Sequence, residues 1–332
     1  MRIVKTLFSL AVLGAVGFAL VQVALRSGVS RPDEATPRQD ESAAIAGSSS
    51  TQQPPKGTSS ESFARETADE KSGPPPPRLE ESLQAPLLDL PGTHRATLDR
   101  AAFERRLAET RAVANKGETV AALATLSKLY WEARLAPPER SQLIEQLDAW
   151  SQQLYFTKAH TLEPAYVIQP GDSLERIGKK YNLSWEFLAR INAIQDPRRI
   201  RAGQRLKVLR GPFEAVIDLS DFELTVMLDG RFVRRYDVGI GKDGTTPLGT
   251  FTVREKQPNP KYWGDPVREA DDPENPLGEH WIGIGNSYGI HGTIAPESIG
   301  KRESAGCIRM LPDDVAEVYD LLVVGARVRI QP

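Results

Sequence analysis

The chain has 332 residues, of which 40% are apolar, so it is long enough to bury more than one hydrophobic core. Its formal net charge of −2 creates no global field that would attract nucleic acid, and we expect no nucleic-acid partner. Cys307 is its one cysteine, so no internal disulfide can form and the thiol is either an inert packing group or a reactive one.

The first 26 residues have the pattern of a membrane segment. Arg2 and Lys5 precede an uncharged apolar run over residues 7–25. As a helix this run reaches roughly 28 Å, close to the hydrocarbon thickness of a bilayer. Basic residues before the run place the amino terminus inside. We predict that residues 1–26 are a membrane anchor or signal segment and that the remaining chain is extracytoplasmic, in the periplasm or cell envelope.

Residues 27–92 are rich in Ser, Pro, Glu and Gln and include four successive prolines at 74–77. A segment with so few large apolar residues cannot bury enough surface to offset the entropy that it would lose on ordering. We therefore predict a disordered linker. In residues 93–160 apolar residues recur at three- and four-residue steps, which predicts an α-helical region. Gly117 and Pro137 divide it into three helices, whose apolar faces either pack internally or dock a partner. We favour internal packing.

Residues 165–209 predict a small βααβ unit. A strand at 166–168 ends at Pro170-Gly171, and two short amphipathic helices follow, the second capped by Ser184. A second strand covers residues 204–208. The order and length indicate a compact module.

The sequence of this unit resembles the LysM peptidoglycan-binding module. The resemblance is carried by Tyr-Val-Ile-Gln-Pro-Gly-Asp-Ser-Leu at 166–174, Ile-Asn at 191–192 and Ile-Arg-Ala-Gly-Gln-Arg-Leu at 200–206. It implies a glycan groove between two loops, whose expected residues are Gly171, Asp172, Ser173, Leu174, Ile200, Arg201, Ala202 and Gly203. Leu174 and Ile200 fit a core position equally well.

Residues 213–331 alternate between short strand patterns and turns. Asp229-Gly230 is a strong hairpin signal. Regular helix signal is sparse until Pro312, which suits a first helical turn. The predicted strands are 214–218, 223–228, 232–238, 250–254, 281–284 and 326–330. The fold class is therefore multidomain, with a mainly β, sandwich-like domain that has one late helix, preceded by the βααβ module and the helical region.

Cys307 and His291 are the candidate reactive pair. A thiol with an ordinary pKa of about 8.5 is only a few per cent ionised at neutral pH, so it needs a base or a positive field. His291 lies sixteen residues before Cys307, on an expected loop that has Gly289 and Gly292 on either side of the histidine. Gly306 gives the backbone conformational freedom immediately before the thiol. A buried inert cysteine and His280 as the base are the alternatives.

The same strings resemble the signature of the L,D-transpeptidase (YkuD-type) catalytic domain. The matching elements are His-Gly-Thr at 291–293, Ser-Ala-Gly-Cys-Ile-Arg-Met at 304–310 and Thr-Pro-Leu-Gly-Thr-Phe at 246–251. The resemblance covers residues 213–331. Ala305 stands where many relatives have a histidine, so any second imidazole role is absent.

The resemblance implies a role for each matching residue. Cys307 would be the nucleophile and His291 the base, oriented by a backbone carbonyl near Gly292. Amide groups around Gly306 and Cys307 would stabilise the oxyanion. Arg309 would bind a substrate carboxylate or brace the loop, and Ser304 would add a hydrogen bond. Neither a metal nor an organic cofactor is expected.

The implied activity is transfer of a peptidoglycan stem peptide through a cysteine thioester, forming 3→3 crosslinks or attaching a protein to the wall. The partners would be stem peptides, glycan strands and, through the first segment, the membrane, in a role in cell-wall organisation and cell shape. Two alternatives stay open: an L,D-carboxypeptidase, in which water resolves the thioester, and a non-catalytic wall-binding scaffold.

Overall fold

The computed structural model describes residues 95–332. The predicted anchor at 1–26 and the linker at 27–92 lie outside the described residues. Within residues 95–332, no helix combines the length and the apolar character that a bilayer crossing requires.

Three helices follow the first described residues: α1 (Arg100–Ala114), α2 (Thr119–Glu132) and α3 (Pro137–Ser151). Helix α1 begins where the Asp99 carboxylate accepts the Ala102 N–H at 2.7 Å, and α3 begins with a proline, whose missing N–H costs nothing there. A π-helical turn, Gln152–Phe156, extends α3. Two short strands, β1 (Ala96–Thr97) and β2 (Ala133–Arg134), pair in parallel.

The next unit has the predicted βααβ order. Its elements are β3 (Tyr166–Val167), α4 (Leu174–Tyr181), α5 (Trp185–Ile191) and β4 (Arg205–Leu206). The hydroxyls of Ser173 and Ser184 accept the amides of the first turns, which fixes where both helices begin. β3 and β4 pair antiparallel.

Residues from 213 onward form two larger sheets. The five-stranded sheet has the order β7-β6-β5-β15-β9. Its strands are β5 (Glu214–Asp218), β6 (Glu223–Leu228), β7 (Arg231–Asp237), β9 (Gly249–Thr252) and β15 (Arg327–Gln331). The β6–β7 hairpin turns at Asp229-Gly230, whose φ angles of 49° and 71° are those of a primed turn.

The four-stranded sheet contains His291 and Arg309 and has the order β10-β11-β12-β14. Its strands are β10 (Glu255–Pro258), β11 (His280–Gly285), β12 (Tyr288–His291) and β14 (Ile308–Arg309). A small parallel pair, β8 (Ile240–Gly241) with β13 (Arg302–Ser304), lies beside the turn before β14. Ile282, Ile290 and Ile308 are fully buried on one face of the sheet, where helix α6 (Pro312–Leu321) contacts β11.

The helical region covers the five-stranded sheet. Every residue of β6 is buried, which requires cover on both faces of the strand. The Tyr130 hydroxyl donates to Glu223 at 3.0 Å and lies 3.0 Å from Thr225 Oγ1. On the same helix, Ser127 Oγ accepts the Phe232 N–H at 2.9 Å. The apolar faces of the helices are therefore used in internal packing.

The βααβ unit is also held by its neighbours. Lys207 is 1% exposed, and its ammonium donates to the carbonyls of Leu154 and Thr157 at 2.6 and 2.7 Å. Burial lowers the pKa of Lys207 to about 8. Phe187 packs edge-on against Phe213 with ring centroids 4.9 Å apart. Buried contacts therefore join the three regions, and the linkers between them are short.

Most predicted elements are present with shifts of one or two residues. The sequence patterns missed the short strands β8, β10, β12, β13 and β14, because two to four residues carry too little periodicity to read. One error has consequences for the site. His291 was expected on a loop, whereas it is the last residue of β12.

We expect Tyr130→Phe to destabilise the whole described region. The substitution removes the partner of the buried Thr225 hydroxyl and one donor to Glu223, which keeps Arg140 and Arg235, at a cost of about 1–3 kcal/mol. Thermal unfolding of the full chain, followed by circular dichroism, should show a lowered main transition. Thr125→Ala, at an exposed position of the same helix, should change the transition little. A lowered helix transition beside an unchanged sheet transition would contradict shared packing.

Candidate active site

The parallel pairing of β12 with β14 brings the two candidate reactive residues together. His291 lies opposite Arg309 and Ile290 opposite Ile308. The Met310 amide donates to the His291 carbonyl at 2.9 Å, which fixes this register. Cys307 immediately precedes β14, two residues back from the partner of His291.

The alternation of side chains puts this pair on one face of the sheet. Residues two apart on a strand, and partners across a pair, point the same way. His291 and Arg309 therefore share the face opposite the buried isoleucines, and the same alternation, carried back one residue before β14, places Cys307 on that face. With strands about 4.8 Å apart and a rise of about 3.3 Å per residue, the Cα atoms of His291 and Cys307 are roughly 8 Å apart, within reach of two inclined side chains.

The His291 ring is oriented from two sides. Its Nδ1 lies 2.6 Å from the Gly292 carbonyl, so Nδ1 carries the proton and Nε2 presents a lone pair. Trp281, its partner on β11, stacks on the imidazole with ring centroids 5.8 Å apart and planes 24° apart. The expectation that a carbonyl replaces an acid as the orienting group matches this geometry.

Burial sets the charge of the imidazole. His291 is 4% exposed, and burial lowers its pKa to about 4, against a smaller opposing effect of the Gly292 carbonyl. The positive charge of Arg309 lowers the pKa further. His291 is therefore neutral at pH 7, in the form that accepts a proton.

The Cys307 thiol lies against the tip of the β11–β12 hairpin. Its Sγ is 3.9 Å from the Ser287 carbonyl oxygen. Asn286 and Ser287 form that tip, with φ angles of 53° and 61°. Burial raises the pKa of the thiol, while the Gly289 N–H and the charge of Arg309 oppose this effect. At neutral pH the pair is a thiol beside a neutral imidazole.

The turn before the thiol is held by two hydroxyl groups. Ser304 Oγ donates to the Cys307 carbonyl at 2.6 Å and accepts the Gly306 N–H at 3.1 Å. Thr246 Oγ1 accepts the Gly241 N–H at 2.8 Å and donates to the Gly306 carbonyl at 3.0 Å. Ser304 thus supplies the expected hydrogen bond, and the Thr-Pro-Leu-Gly-Thr-Phe segment acts on the same turn.

Gly306 is required for conformation and close approach. Its φ is +133°, and a Cβ there would lie 2.6 Å from the Tyr288 ring. The expectation was that amides around Gly306 and Cys307 face an oxyanion, and of these two the Gly306 N–H already donates to Ser304 Oγ. Among the hydrogen bonds of residues 95–332, none engages the Cys307 N–H, which leaves that amide as the donor available beside the thiol.

The position of Arg309 is compatible with both roles that the sequence left open. Its backbone N–H and carbonyl pair with Gly239 at 2.8 and 2.9 Å, which braces the strand. In the described part of the chain its guanidinium has neither a hydrogen bond nor an ion pair. The side chain is partly exposed beside His291 and is therefore free to bind an anion.

His280 does not suit the role of the base. It precedes Trp281 on β11, so its side chain lies on the opposite face from His291. There its ring packs against Tyr319 of α6 with centroids 4.8 Å apart. A sheet separates it from the thiol.

Trp281 and Glu255 are site residues that the motifs did not indicate. The Trp281 indole lies across two glycines: a Cβ at Gly289 would be 2.5 Å from it and one at Gly283 would be 3.0 Å from Nε1. Trp281 Nε1 donates to Glu255 Oε1 at 3.2 Å. The two glycines at cross-strand positions were the available signal, since they leave room for a flat ring above them.

The long loop between β10 and β11 reaches the site at its end. A Cβ at Gly278 would lie 3.2 Å from the Gly292 Cα, so this part of the loop covers the residue that orients His291. Asn275 is buried and donates to the carbonyl of Pro260 at 2.8 Å, which ties the two ends of the loop. Trp263, near the middle, is 77% exposed.

The predicted glycan residues lie on two adjacent loops of the βααβ unit. The Gly203 N–H donates to the Ile168 carbonyl at 2.8 Å, which joins the loops. Gly171 and Gly203 have positive φ angles of 85° and 84°, and Arg201 is exposed. Ile200 is half-buried.

Three of the predicted glycan residues have structural roles in the module. Asp172 accepts the Tyr166 hydroxyl at 2.7 Å and the Gln169 N–H at 2.8 Å, which closes the first loop. Ser173 caps α4. Leu174 is fully buried, so its side chain belongs to the core and not to a groove, as the alternative interpretation had it.

Two family models match the chain. The YkuD L,D-transpeptidase catalytic domain matches residues 212–330, and the LysM domain matches residues 166–209. YkuD of Bacillus licheniformis is 33% identical over 175 residues, which cover 50% of this chain and 98% of that protein. The chain belongs to the YkuD-type L,D-transpeptidase family. Members of this family are cysteine-dependent acyltransferases.

Two further similarities are more limited in extent. YqjB of Bacillus subtilis is 42% identical over 129 residues, 37% of this chain and 73% of that protein. A solved L,D-transpeptidase from Mycobacterium smegmatis is 26% identical, with 39% of this chain and 64% of that chain covered and a TM-score of 0.31. The peptidoglycan-acting domains imply an extracytoplasmic location.

The ionisation state of the pair can be read from alkylation by iodoacetamide. Because the chain has one cysteine, all labelling reports on Cys307. With a raised thiol pKa and an imidazole that stays neutral down to about pH 4, the rate should rise about tenfold per pH unit from pH 6 to 8. A pH-independent plateau over that range would indicate a thiolate–imidazolium pair and contradict the neutral pair. Urea-unfolded protein is the reference for an unperturbed thiol.

We expect Trp281 to position the imidazole of His291 without contacting the reacting atoms of the substrate. Trp281→Leu removes the stacking surface and should lower kcat by about 10- to 100-fold with little change in KM. Trp281→Phe keeps an aromatic ring and should retain most of the activity. Glu255→Gln keeps an acceptor for the indole N–H and should be more active than Glu255→Ala. A matching rise in KM, or equal activity of the Phe and Leu variants, would argue against orientation of the ring.

Proposed function

We propose that the chain is an L,D-transpeptidase that transfers peptidoglycan stem peptides through a thioester on Cys307. The observation that carries the proposal is the placement of Cys307 and His291 on one face of neighbouring strands, with the imidazole neutral and its Nε2 unprotonated. Family membership supports the substrate class.

The first half-reaction releases D-alanine. Sγ attacks the carbonyl carbon of the residue that precedes the terminal D-alanine of a tetrapeptide stem, while His291 Nε2 takes the thiol proton. The Cys307 N–H donates to the developing oxyanion, a contribution of about 2.7–4 kcal/mol per donor in comparable sites. The amide C–N bond then breaks, and the imidazolium gives its proton to the departing amine. A thioester remains on the enzyme.

The second half-reaction transfers the acyl group. A side-chain amine of a neighbouring stem attacks the thioester carbon, His291 takes a proton from that amine, and the proton returns to the thiolate as the C–S bond breaks. The product is a 3→3 crosslink. A protein amine as acceptor would attach that protein to the wall, and water would give L,D-carboxypeptidase activity. The free guanidinium of Arg309 is placed to bind a carboxylate of a stem.

The LysM module supports a second part of the proposal, which is retention on glycan. Its two adjacent loops expose backbone at Gly171 and Gly203 and the side chain of Arg201, between which an N-acetylated sugar would bind. Tethering to the membrane through residues 7–25 remains a proposal from the sequence. Together these features would keep the catalytic domain close to its polymeric substrate.

Product analysis separates the three possible functions. The purified full chain is incubated with disaccharide-tetrapeptides and the products are identified by mass spectrometry. Crosslinked dimers are expected; tripeptides alone would indicate a carboxypeptidase. Unchanged substrate, in a sample whose free thiol still titrates, would indicate a scaffold and overturn the proposal.

Cys307→Ala should abolish turnover and leave the fold intact. The thiol is the nucleophile, and a small, partly exposed side chain contributes little to packing. Intact-mass measurement of the wild type should detect an adduct of the substrate minus D-alanine, absent from the variant. Glu303→Gln, at a nearby exposed position, is the control and should form the adduct. Turnover by the alanine variant would exclude Cys307 as the nucleophile.

A further inference from the structure

Positive charge is concentrated in the LysM module. Residues 165–210 contain ten Lys and Arg against four Asp and Glu, whereas the whole chain has a net charge of −2. A strongly basic module in a slightly acidic chain indicates an anionic partner for that module. N-acetylglucosamine units carry no charge, so recognition of these sugars alone does not account for this excess.

About half of these cations already have partners. Arg190 lies 3.7 Å from Glu317 and 3.5 Å from Asp320 of α6. Arg198 and Arg199 both pair with Asp196, and Arg210 pairs with Glu163. Lys207 is buried against two carbonyls. These groups hold the module in place and are not available to a ligand.

The remaining cations are exposed, and in residues 95–332 none of them has an ion pair: Arg176, Lys179, Lys180, Arg201 and Arg205. Arg176 lies at the first loop, where Nη1 donates to the Gly171 carbonyl at 2.8 Å. Lys180, one helical turn further, lies 5.0 Å from the centre of the Tyr166 ring. Both cations therefore border the first strand and its loop.

Two more cations border the second loop. Arg201 belongs to it, with its amide bound to the Gln204 side chain at 3.3 Å. Arg205 follows on β4, opposite Val167, which is 40% exposed on the outer face. We define the basic rim as Arg176, Lys180, Arg201 and Arg205. These four residues lie beside the two loops between which the glycan is proposed to bind.

Asp172, which lies close to the basic rim, reduces the positive charge of the rim only in part. Asp172 is held by the Gln169 N–H and the Tyr166 hydroxyl, which lower its pKa, with smaller contributions from Lys180 and Arg176. Asp172 is therefore ionised at neutral pH. Even so, the four cations of the basic rim outnumber Asp172 and the neighbouring exposed Glu175, and the acceptor positions of Asp172 already serve the loop.

We propose that the basic rim binds the carboxylates of stem peptides on the strand whose glycan occupies the groove, so that the module selects peptide-bearing strands over bare glycan. This inference rests on the proposed glycan binding. Stems project from the sugar chain at regular intervals and carry several carboxylates, which an arginine can bind through two parallel hydrogen bonds. The catalytic domain would then be delivered to strands that still carry its substrate.

Each exposed ion pair is worth at most about 1 kcal/mol, so the selectivity comes from several together and weakens with salt. The double variant Lys180→Glu with Arg205→Glu reverses one cation near each loop and leaves the loop residues themselves unchanged. The control, Arg105→Glu with Lys116→Glu, changes net charge equally on exposed positions of the helical region. All proteins are full chains that also carry Cys307→Ala, so no covalent product forms.

Binding is measured on intact wall sacculi and on chitin, an uncharged N-acetylglucosamine polymer that carries no stems. The rim variant should bind intact sacculi about tenfold more weakly, and chitin as tightly as its parent does. The parent should prefer intact sacculi, and this preference should fall at high salt. Equal binding of both polymers by the parent would overturn the proposal.

Other anions are separate outcomes. If the rim variant loses binding to phosphatidylglycerol vesicles or to a phosphate-rich polymer but not to intact sacculi, the rim serves a phosphate ligand and the proposal fails. An equal loss on chitin would assign these residues to sugar binding alone. Turnover of soluble disaccharide-tetrapeptide by the wild type is scored separately, so a failure of the enzymatic function would leave the result on the rim intact.

Discussion

The active site depends on the parallel pairing of two very short strands, β12 and β14. A single register, fixed by the bond from the Met310 amide to the His291 carbonyl, puts residues that are sixteen positions apart on one face of one sheet. A slip by one residue would turn Cys307 to the opposite face, where the buried isoleucines lie. The hydroxyls of Ser304 and Thr246 hold the turn that enters β14 and so protect this register.

The surroundings of the pair decide its chemistry. The same burial that lowers the pKa of His291 also raises that of Cys307, so both groups are uncharged at neutral pH. Gly283 and Gly289 allow the Trp281 indole to lie flat beside the imidazole. The base is thus fixed by a carbonyl in its plane and a ring against its face, without any carboxylate.

Residues outside the catalytic domain complete its fold. The helical region covers the outer face of the five-stranded sheet, and the buried contacts of Lys207 and Phe187 join the LysM module to both neighbours. Cations such as Arg190 hold the module against α6, whereas those of the basic rim face outward. A module held in this way would present its ligand to the catalytic domain in a restricted set of orientations.

The sequence by itself determined the order of the longer elements, the family and the candidate reactive pair, because hydrophobic periodicity, glycines, caps and a lone cysteine are local signals. It could not assign His291 to a strand, since four residues of β12 carry no readable period. Only the tertiary structure decided that the Gly306 amide is occupied, that His280 faces away, and that Trp281 and Glu255 adjoin the site. Hydrogen-bond partners and sheet faces depend on contacts between distant residues, which no local pattern specifies.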